Sequence, residues 1–220
     1  MGKRGPKPKG QVKIKWSPNF AYAIGLITSD GCLSADGRHI LFVSKDLEQI
    51  KNFAKALDLR QKIGKHSAGF GRRTTNYHRI QFGDILFYKF LLGIGLTPDK
   101  SKTVGQLSIP HKYFFDFLRG SFDGDGYFYS YWDKRWRSSF MFYLGFCSAS
   151  PRHLLWLQKE LKKLLGVKGH ITHSRNSSCQ QLKYAKKEAV RIIRKLYPPG
   201  PSLYLSRKRL KTGKALAIVS

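Results

Sequence analysis

The stretch FLRGSFDGDG, Phe117 to Gly126, ends an apolar run with two acids set between glycines. Acids are scarce here: 13 Asp and Glu stand against 41 Lys and Arg, a formal charge of +28 over 220 residues. Asp123 and Asp125 therefore need a reason. A second copy supplies the first clue. Gly25-Leu26-Ile27-Thr28-Ser29-Asp30-Gly31 aligns with Gly120-Ser121-Phe122-Asp123-Gly124-Asp125-Gly126 at an offset of 95 residues.

The same element order is predicted around each copy. Ser17 as N-cap with Pro18 behind it starts a helix that runs to about Ser29. Strands follow around Cys32–Ala35 and Arg38–Ser44, turning at Asp36-Gly37. Apolar residues Leu47, Ile50, Phe53, Ala54 and Leu57 recur every three or four positions, which predicts a helix over Asp46–Leu57. Strands at Lys62–Phe70 and Asn76–Phe82 and a helix over Asp84–Ile94 complete the first half. Pro110 opens the second, whose helix ends in DGDG. A strand pair across Tyr127–Ser148 and a helix over Pro151–Leu165 come next, then strands at Lys168–Arg175 and Gln180–Tyr184 and a helix over Lys186–Leu196.

The expected fold is α+β: two pseudo-symmetric αββαββα repeats, a pseudo-dimer within one chain. The divisions are 1–15, a flexible basic arm; 16–95, the first repeat; 96–109, a linker; 110–212, the second repeat; and 213–220, a C-terminal tail.

Composition narrows the partner. Self-repulsion at +28 is relieved by a polyanion, and nucleic acid comes before an anionic membrane surface. Cys32, Cys147 and Cys179 form no CxxC pair, which argues against a disulfide framework or structural zinc and suits a reducing interior. They read as buried or half-buried thiols. FAYAIGLI is too short to span a bilayer and lacks a small-x-small cleavage site, so neither export nor a membrane span is expected.

Gly25 and Ser29, like Gly120 and Gly124, are four apart and share a helix face. Small residues there let two helices cross closely, bringing Asp30 and Asp125 to one axis. A carboxylate at a helix C-terminus opposes the macrodipole by ~0.3–1 kcal/mol, and two carboxylates also repel each other. A divalent cation reverses both effects, and oxygen ligands suit Mg²⁺. A calcium loop fits less well: after Asp123-x-Asp125, Tyr127 takes the next ligand position and Lys134 the place of the bidentate Glu.

Ala23–Gly31 and Leu118–Gly126 resemble the LAGLIDADG motif, and nearly all of 16–212 is similar to a double-motif, monomeric LAGLIDADG homing endonuclease. The resemblance implies a saddle of two antiparallel sheets along the DNA major groove, with the motif helices at the pseudo-two-fold axis. It implies double-strand cleavage across the minor groove with short 3′ overhangs. Mg²⁺ is the implied cofactor, Mn²⁺ substitutes for it, and Ca²⁺ supports binding without cleavage. The implied role is intron or gene mobility on a long asymmetric duplex target; intron RNA maturation or non-cutting regulation is the alternative. By the same resemblance Asp30 and Asp125 are catalytic and hold metal, with Ser29 and Gly124 beside them. Thr28 stands where the first motif would have an earlier acid. Lys100 and Lys208, in corresponding post-helix segments, are the candidates to polarise phosphate or order water; Lys102, Arg207 and Arg209 are rivals.

The strands suggest how DNA is held. From Tyr127 to Phe146 one parity carries Phe128, Trp132, Trp136, Phe140, Phe142, Leu144 and Phe146 toward the core. The other presents Tyr127, Tyr129, Tyr131, Arg135 and Arg137 to DNA. Arg79 and Gln81, and Gln181 and Lys183, alternate with apolar residues in the same way, and Arg and Gln make bidentate base contacts. Lys65, Arg72, Arg73, His170 and Arg175 are further DNA-binding candidates. His111 and His153, at helix starts, read as surface residues.

Overall fold

The computed structural model describes residues 10–68, 75–173, 178–200 and 202–219. The first half runs α1 (Pro18–Asp30), β1 (Gly31–Leu33), β2 (His39–Ser44), α2 (Leu47–Leu57), β3 (Gly64–Ala68), β4 (Thr75–Gly83) and α3 (Ile85–Gly93). A four-residue helix, α4 (Lys100–Thr103), lies in the connection that the sequence left without structure. A single 3-10 turn leads into α5 (Phe114–Asp125), β5 (Gly126–Trp132), β6 (Phe140–Ser148), α6 (Pro151–Leu165), β7 (His170–His173), β8 (Gln180–Ala185) and α7 (Lys186–Leu196). The chain ends on α8 (Ser206–Val219), which the sequence reading did not anticipate and which continues through Gly213.

Each half forms one four-stranded antiparallel sheet, with order β1-β2-β4-β3 in one and β5-β6-β8-β7 in the other. The registers correspond: Gly31 opposes Phe42 as Gly126 opposes Phe146. Alternation puts Ile40, Phe42, Ile80 and Phe82, and Phe142, Leu144, Phe146 and Leu182, into the core. The expected parity fails at the end of the β5–β6 hairpin. Trp132 is 52% exposed and Trp136 70%, because the core ends before the hairpin does and residues 133–139 form the turn.

Order also begins earlier than Trp16. Asp84 accepts the amides of Gln11 (2.6 Å) and Val12 (2.9 Å), and Val12 is buried. The same carboxylate caps α3 by accepting the Phe87 amide at 2.9 Å. One acid thus anchors both the entering chain and a helix. Cys32 and Cys179 are exposed rather than buried; only Cys147 is half-buried.

The halves meet through α1 and α5. A Cβ added to Gly25 would lie 2.1 Å from the Phe117 carbonyl oxygen, and one on Gly120 2.0 Å from that of Tyr22. No side chain fits between these backbones. Gly31 and Gly126 are tight for a local reason: an added Cβ would sit 2.7 Å from Ile27 Cα or 2.3 Å from Phe122 Cδ2. Glycine there lets the chain pass straight from each acid into a strand.

Substituting Gly120→Ala should cost at least ~2 kcal/mol and lower Tm by about 5 °C or more. Gly213→Ala, on α8 with nothing within 4 Å of the added carbon, should leave Tm unchanged or raise it. Thermal denaturation followed by circular dichroism checks both.

Candidate active site at the helix crossing

Asp30 and Asp125 are the last residues of α1 and α5, so the helix crossing sets their separation. An added Cβ on Gly124 would fall 2.8 Å from Asp30 Oδ2, which places that carboxylate against the other helix. Burial, and then the charge of Asp125, push Asp30 up to about 6. Burial raises Asp125 as well.

Two buried lysines oppose them. Lys100 Nζ donates to the Ser29 carbonyl (3.3 Å) at the end of α1. Lys208 Nζ donates to the carbonyls of Phe122 (2.5 Å), Gly124 (3.0 Å) and Gly126 (2.7 Å) at the end of α5. Each ammonium thereby caps carbonyls at a helix C-terminus and meets its negative pole. Burial lowers both lysines, Lys208 to about 8, which still leaves that one charged at neutral pH. Lys208 acts more on Asp30 than Lys100 does, and Lys100 more on Asp125. Each acid is therefore compensated mainly by the lysine capping the other helix. The rivals are engaged elsewhere or face solvent: Arg207 pairs with Asp46 at 2.8 Å, Arg209 lies over the Tyr204 ring, and Lys102 is exposed.

The first acid of the opening stretch has a different task. Asp123 is 1% exposed and accepts from Tyr22 Oη (2.8 Å), Tyr197 Oη (3.2 Å) and the Leu205 amide (2.7 Å). One turn earlier, buried Arg119 donates to the carbonyls of Leu203 (2.8 Å) and Leu196 (3.1 Å) and pairs with Asp116. Together they fasten Leu196, Tyr197, Leu203 and Leu205 to α5, just ahead of α8 and Lys208. Thr28, at the Asp123 position of the first repeat, donates instead to its own helix, at the Ile24 carbonyl.

Gln49 was missed. It is buried on α2, accepts from Ser44 Oγ at 2.6 Å, and its Nε2 lies 3.4 Å from Asp30 Oδ2. A polar residue on the apolar arc of an amphipathic helix was the available signal. His153, expected at the surface, is 4% exposed instead. Its Nδ1 donates to the Gly105 carbonyl at 3.0 Å, and burial lowers it to about 4. His111 is exposed as expected. A cavity of about 190 Å³ opens beside Asp125, with Lys100, Ser121, Cys147 and His153 in its wall.

No protein-family model and no curated protein matches this chain. Solved structures do. The homing endonuclease I-WcaI bound to its DNA recognition sequence aligns with a TM-score of 0.63 and 13% identity, over 90% of this chain and 88% of that one. The homing endonuclease I-DmoI in complex with DNA and Mn aligns at 0.53 and 14% identity, over 84% and 98%. Full-length DUF199/WhiA from Thermatoga maritima aligns at 0.57 and 16% identity over 96% of this chain, which spans only 64% of WhiA. The chain has the LAGLIDADG fold.

Within that fold the acidic centre suits a divalent cation by its donors. Both carboxylates are raised by burial, which a bound cation would reverse. The Ser29 and Gly124 carbonyls each accept from a lysine, and a carbonyl keeps a second lone pair.

The outer faces of the LAGLIDADG sheets carry most of the proposed DNA contacts. Tyr127, Lys183 and His170 lie in one cross-strand row, and the Tyr127 ring covers Gly145. Tyr127 Oη donates to Gln181 at 3.0 Å, and Lys183 sits 4.1 Å from the Tyr143 ring centroid. Tyr129 and Tyr131 continue this face. Arg79 and Gln81 are exposed on the outer face of the first sheet. Lys65, exposed on β3, opposes His78 and shares the parity of Ile80. One placement differs from expectation. Arg135 and Arg137 are in the hairpin turn, beyond the sheet. Arg72, Arg73 and Arg175 lie outside the described residues.

The raised Asp30 predicts a pH dependence. Its ordinary value is 3.8 and its folded value about 6, so between these the folded state holds the extra proton. Stability without metal therefore falls as pH rises from about 4 to about 6, and stays lower above that. In chelator at pH 7.5, Asp30→Asn should melt about 5 °C above the parent. The difference should vanish below pH 4, as scanning calorimetry across the range would show.

Proposed function

We propose that the protein is a monomeric, site-specific, metal-dependent endonuclease for double-stranded DNA, binding along the outer faces of its two sheets. The single observation that carries this reading is the pair of acids that meet at the crossing of α1 and α5, Asp30 half-buried and Asp125 open to solvent, each with a buried lysine. A fold alone does not give an activity; this site adds the chemistry. The charge of +28 supplies the phosphate affinity.

Asp30 and Asp125 would hold Mg²⁺ or Mn²⁺, with the carbonyls of Ser29 and Gly124 behind them. When bound, the cation supplies Lewis acidity toward a phosphate oxygen and lowers the pKa of water. The remaining work belongs to the chain. Lys100 and Lys208, locked against helix-end carbonyls, present fixed positive charge to the oxygens that gain charge as the phosphodiester breaks. Gln49 orients the Asp30 carboxylate. Tyr127, Lys183, Gln181, Arg79 and Gln81 set the duplex in register, with the Gln and Arg side chains reading base edges. The resemblance adds a cut across the minor groove with short 3′ overhangs, serving intron or gene mobility. The same fold in WhiA supports a second reading, a DNA- or intron-binding protein that does not cut.

The test is incubation with a library of randomised duplex sites in Mg²⁺ and, separately, in Ca²⁺. Discrete double-strand breaks in Mg²⁺ alone are expected. Asp30→Asn and Asp125→Asn should each slow cleavage by ~10²–10³-fold or more while binding in Ca²⁺ persists. Tight selective binding with no cleavage in any metal would overturn the nuclease reading in favour of the binding protein.

A further inference from the structure

The end of the β5–β6 hairpin takes no part in the chemistry above, yet it is the most unusual surface of the molecule. Residues 134–138 are all exposed and read Lys-Arg-Trp-Arg-Ser. Trp136 is 70% exposed, and Trp132, at the base of the turn, is 52% exposed with its inner side against Phe140. Large rings are seldom left in water without a use. The turn that presents them is built. Asp133 Oδ1 accepts the amides of Arg135 (2.8 Å) and Trp136 (3.3 Å), and the Asp133 amide donates to the Ser139 carbonyl at 2.9 Å. The only acid of the turn is thus spent on holding its shape.

The tip is also remote. Six strand residues separate Asp125 from Trp132, which at 3.2–3.4 Å per residue is ~20 Å. The first repeat has no counterpart. Its β1–β2 turn is Ser34-Ala35-Asp36-Gly37-Arg38, with no aromatic residue.

We infer that this hairpin tip is a second nucleic-acid-binding element, which takes single-stranded nucleic acid by stacking unpaired bases on Trp136 and Trp132 while Lys134, Arg135 and Arg137 hold the phosphates. Two flat, accessible rings interleaved with cations match a chain that offers alternating π-faces and negative charges. A duplex hides its base faces, and prying them apart costs a few kcal/mol per step. An anionic membrane calls for apolar and charged residues on separate faces, whereas here Lys134, Arg135 and Arg137 lie between and beside the two rings in one short turn. The inference does not depend on cleavage and stands apart from the acidic centre.

The experiment uses the full chain at moderate salt and fluorescence anisotropy with four probes: 15-mer oligothymidine, 15-mer oligouridine, a 20-base-pair duplex of mixed sequence, and vesicles containing phosphatidylserine. The variants are Trp132→Ala/Trp136→Ala and Trp132→Phe/Trp136→Phe. The alanine pair should weaken single-strand binding about 10- to 100-fold and duplex binding less than about 2-fold. The phenylalanine pair, which keeps a ring, should recover most of the loss. Comparable loss on oligothymidine and oligouridine is expected of stacking, whereas loss on one alone would identify the natural strand as DNA or RNA. Unchanged single-strand binding in the alanine pair overturns the inference. Equal loss on duplex and single strand would make the tip a duplex contact, and loss confined to vesicles would make it a membrane contact; either also overturns it. Absence of cleavage in the library experiment bears on the nuclease reading and leaves these affinities as they are.

Discussion

Everything at the centre of this protein follows from one steric constraint: the backbones of α1 and α5 touch where Gly25 and Gly120 lack a side chain. Helices normally pack with side chains between them, at 8–10 Å. Removing those side chains at one crossing brings the two C-terminal ends together. Those ends carry the acids, so the packing contact and the acidic site are one feature. The glycine that follows each acid extends the consequence, because it lets a sheet begin one residue later. The sheets, the acids and the boundary between halves are consequently held in a single geometry.

That geometry has an electrostatic cost, and the chain offsets it locally. Two carboxylates at two helix C-termini face each other and two negative poles. Lys100 and Lys208 answer both problems, since each lies on helix-end carbonyls and within the field of the opposite acid. Holding Lys208 there requires α8, and holding α8 requires Asp123 and Arg119 on α5. The first half contributes as well: Glu48 accepts the Ser206 amide and hydroxyl, and Asn52 donates to the Tyr204 carbonyl at 2.7 Å. The last helix is therefore a bridge between halves rather than a tail.

The halves are alike in topology and unlike in detail. Gln49 approaches Asp30, whereas His153, its counterpart after β6, turns toward Gly105 beside a cavity on the Asp125 side. The second sheet begins with a seven-residue strand and ends in an aromatic, cationic hairpin; the first begins with three residues and a plain turn. One chain with two unequal halves presents two unequal surfaces, which suits an asymmetric partner.

Sequence alone determined the duplication, the element order within each repeat up to α8, the small faces of α1 and α5, and the two acids, because each is written in local spacing. Lys100 and Lys208 were legible through their matched places after a helix, although what they grip was not. Asp123 could not be told from Asp125 in DGDG. One helical position separates a side chain facing two tyrosines from one facing the crossing, and the partners at Tyr197 and Leu205 are more than seventy residues away. Gln49 and His153 were hidden for the same reason: burial belongs to the assembled fold. Trp132 and Trp136 show the converse. Their parity promised a core, and only the tertiary structure, by ending the core before the hairpin ends, left them in water.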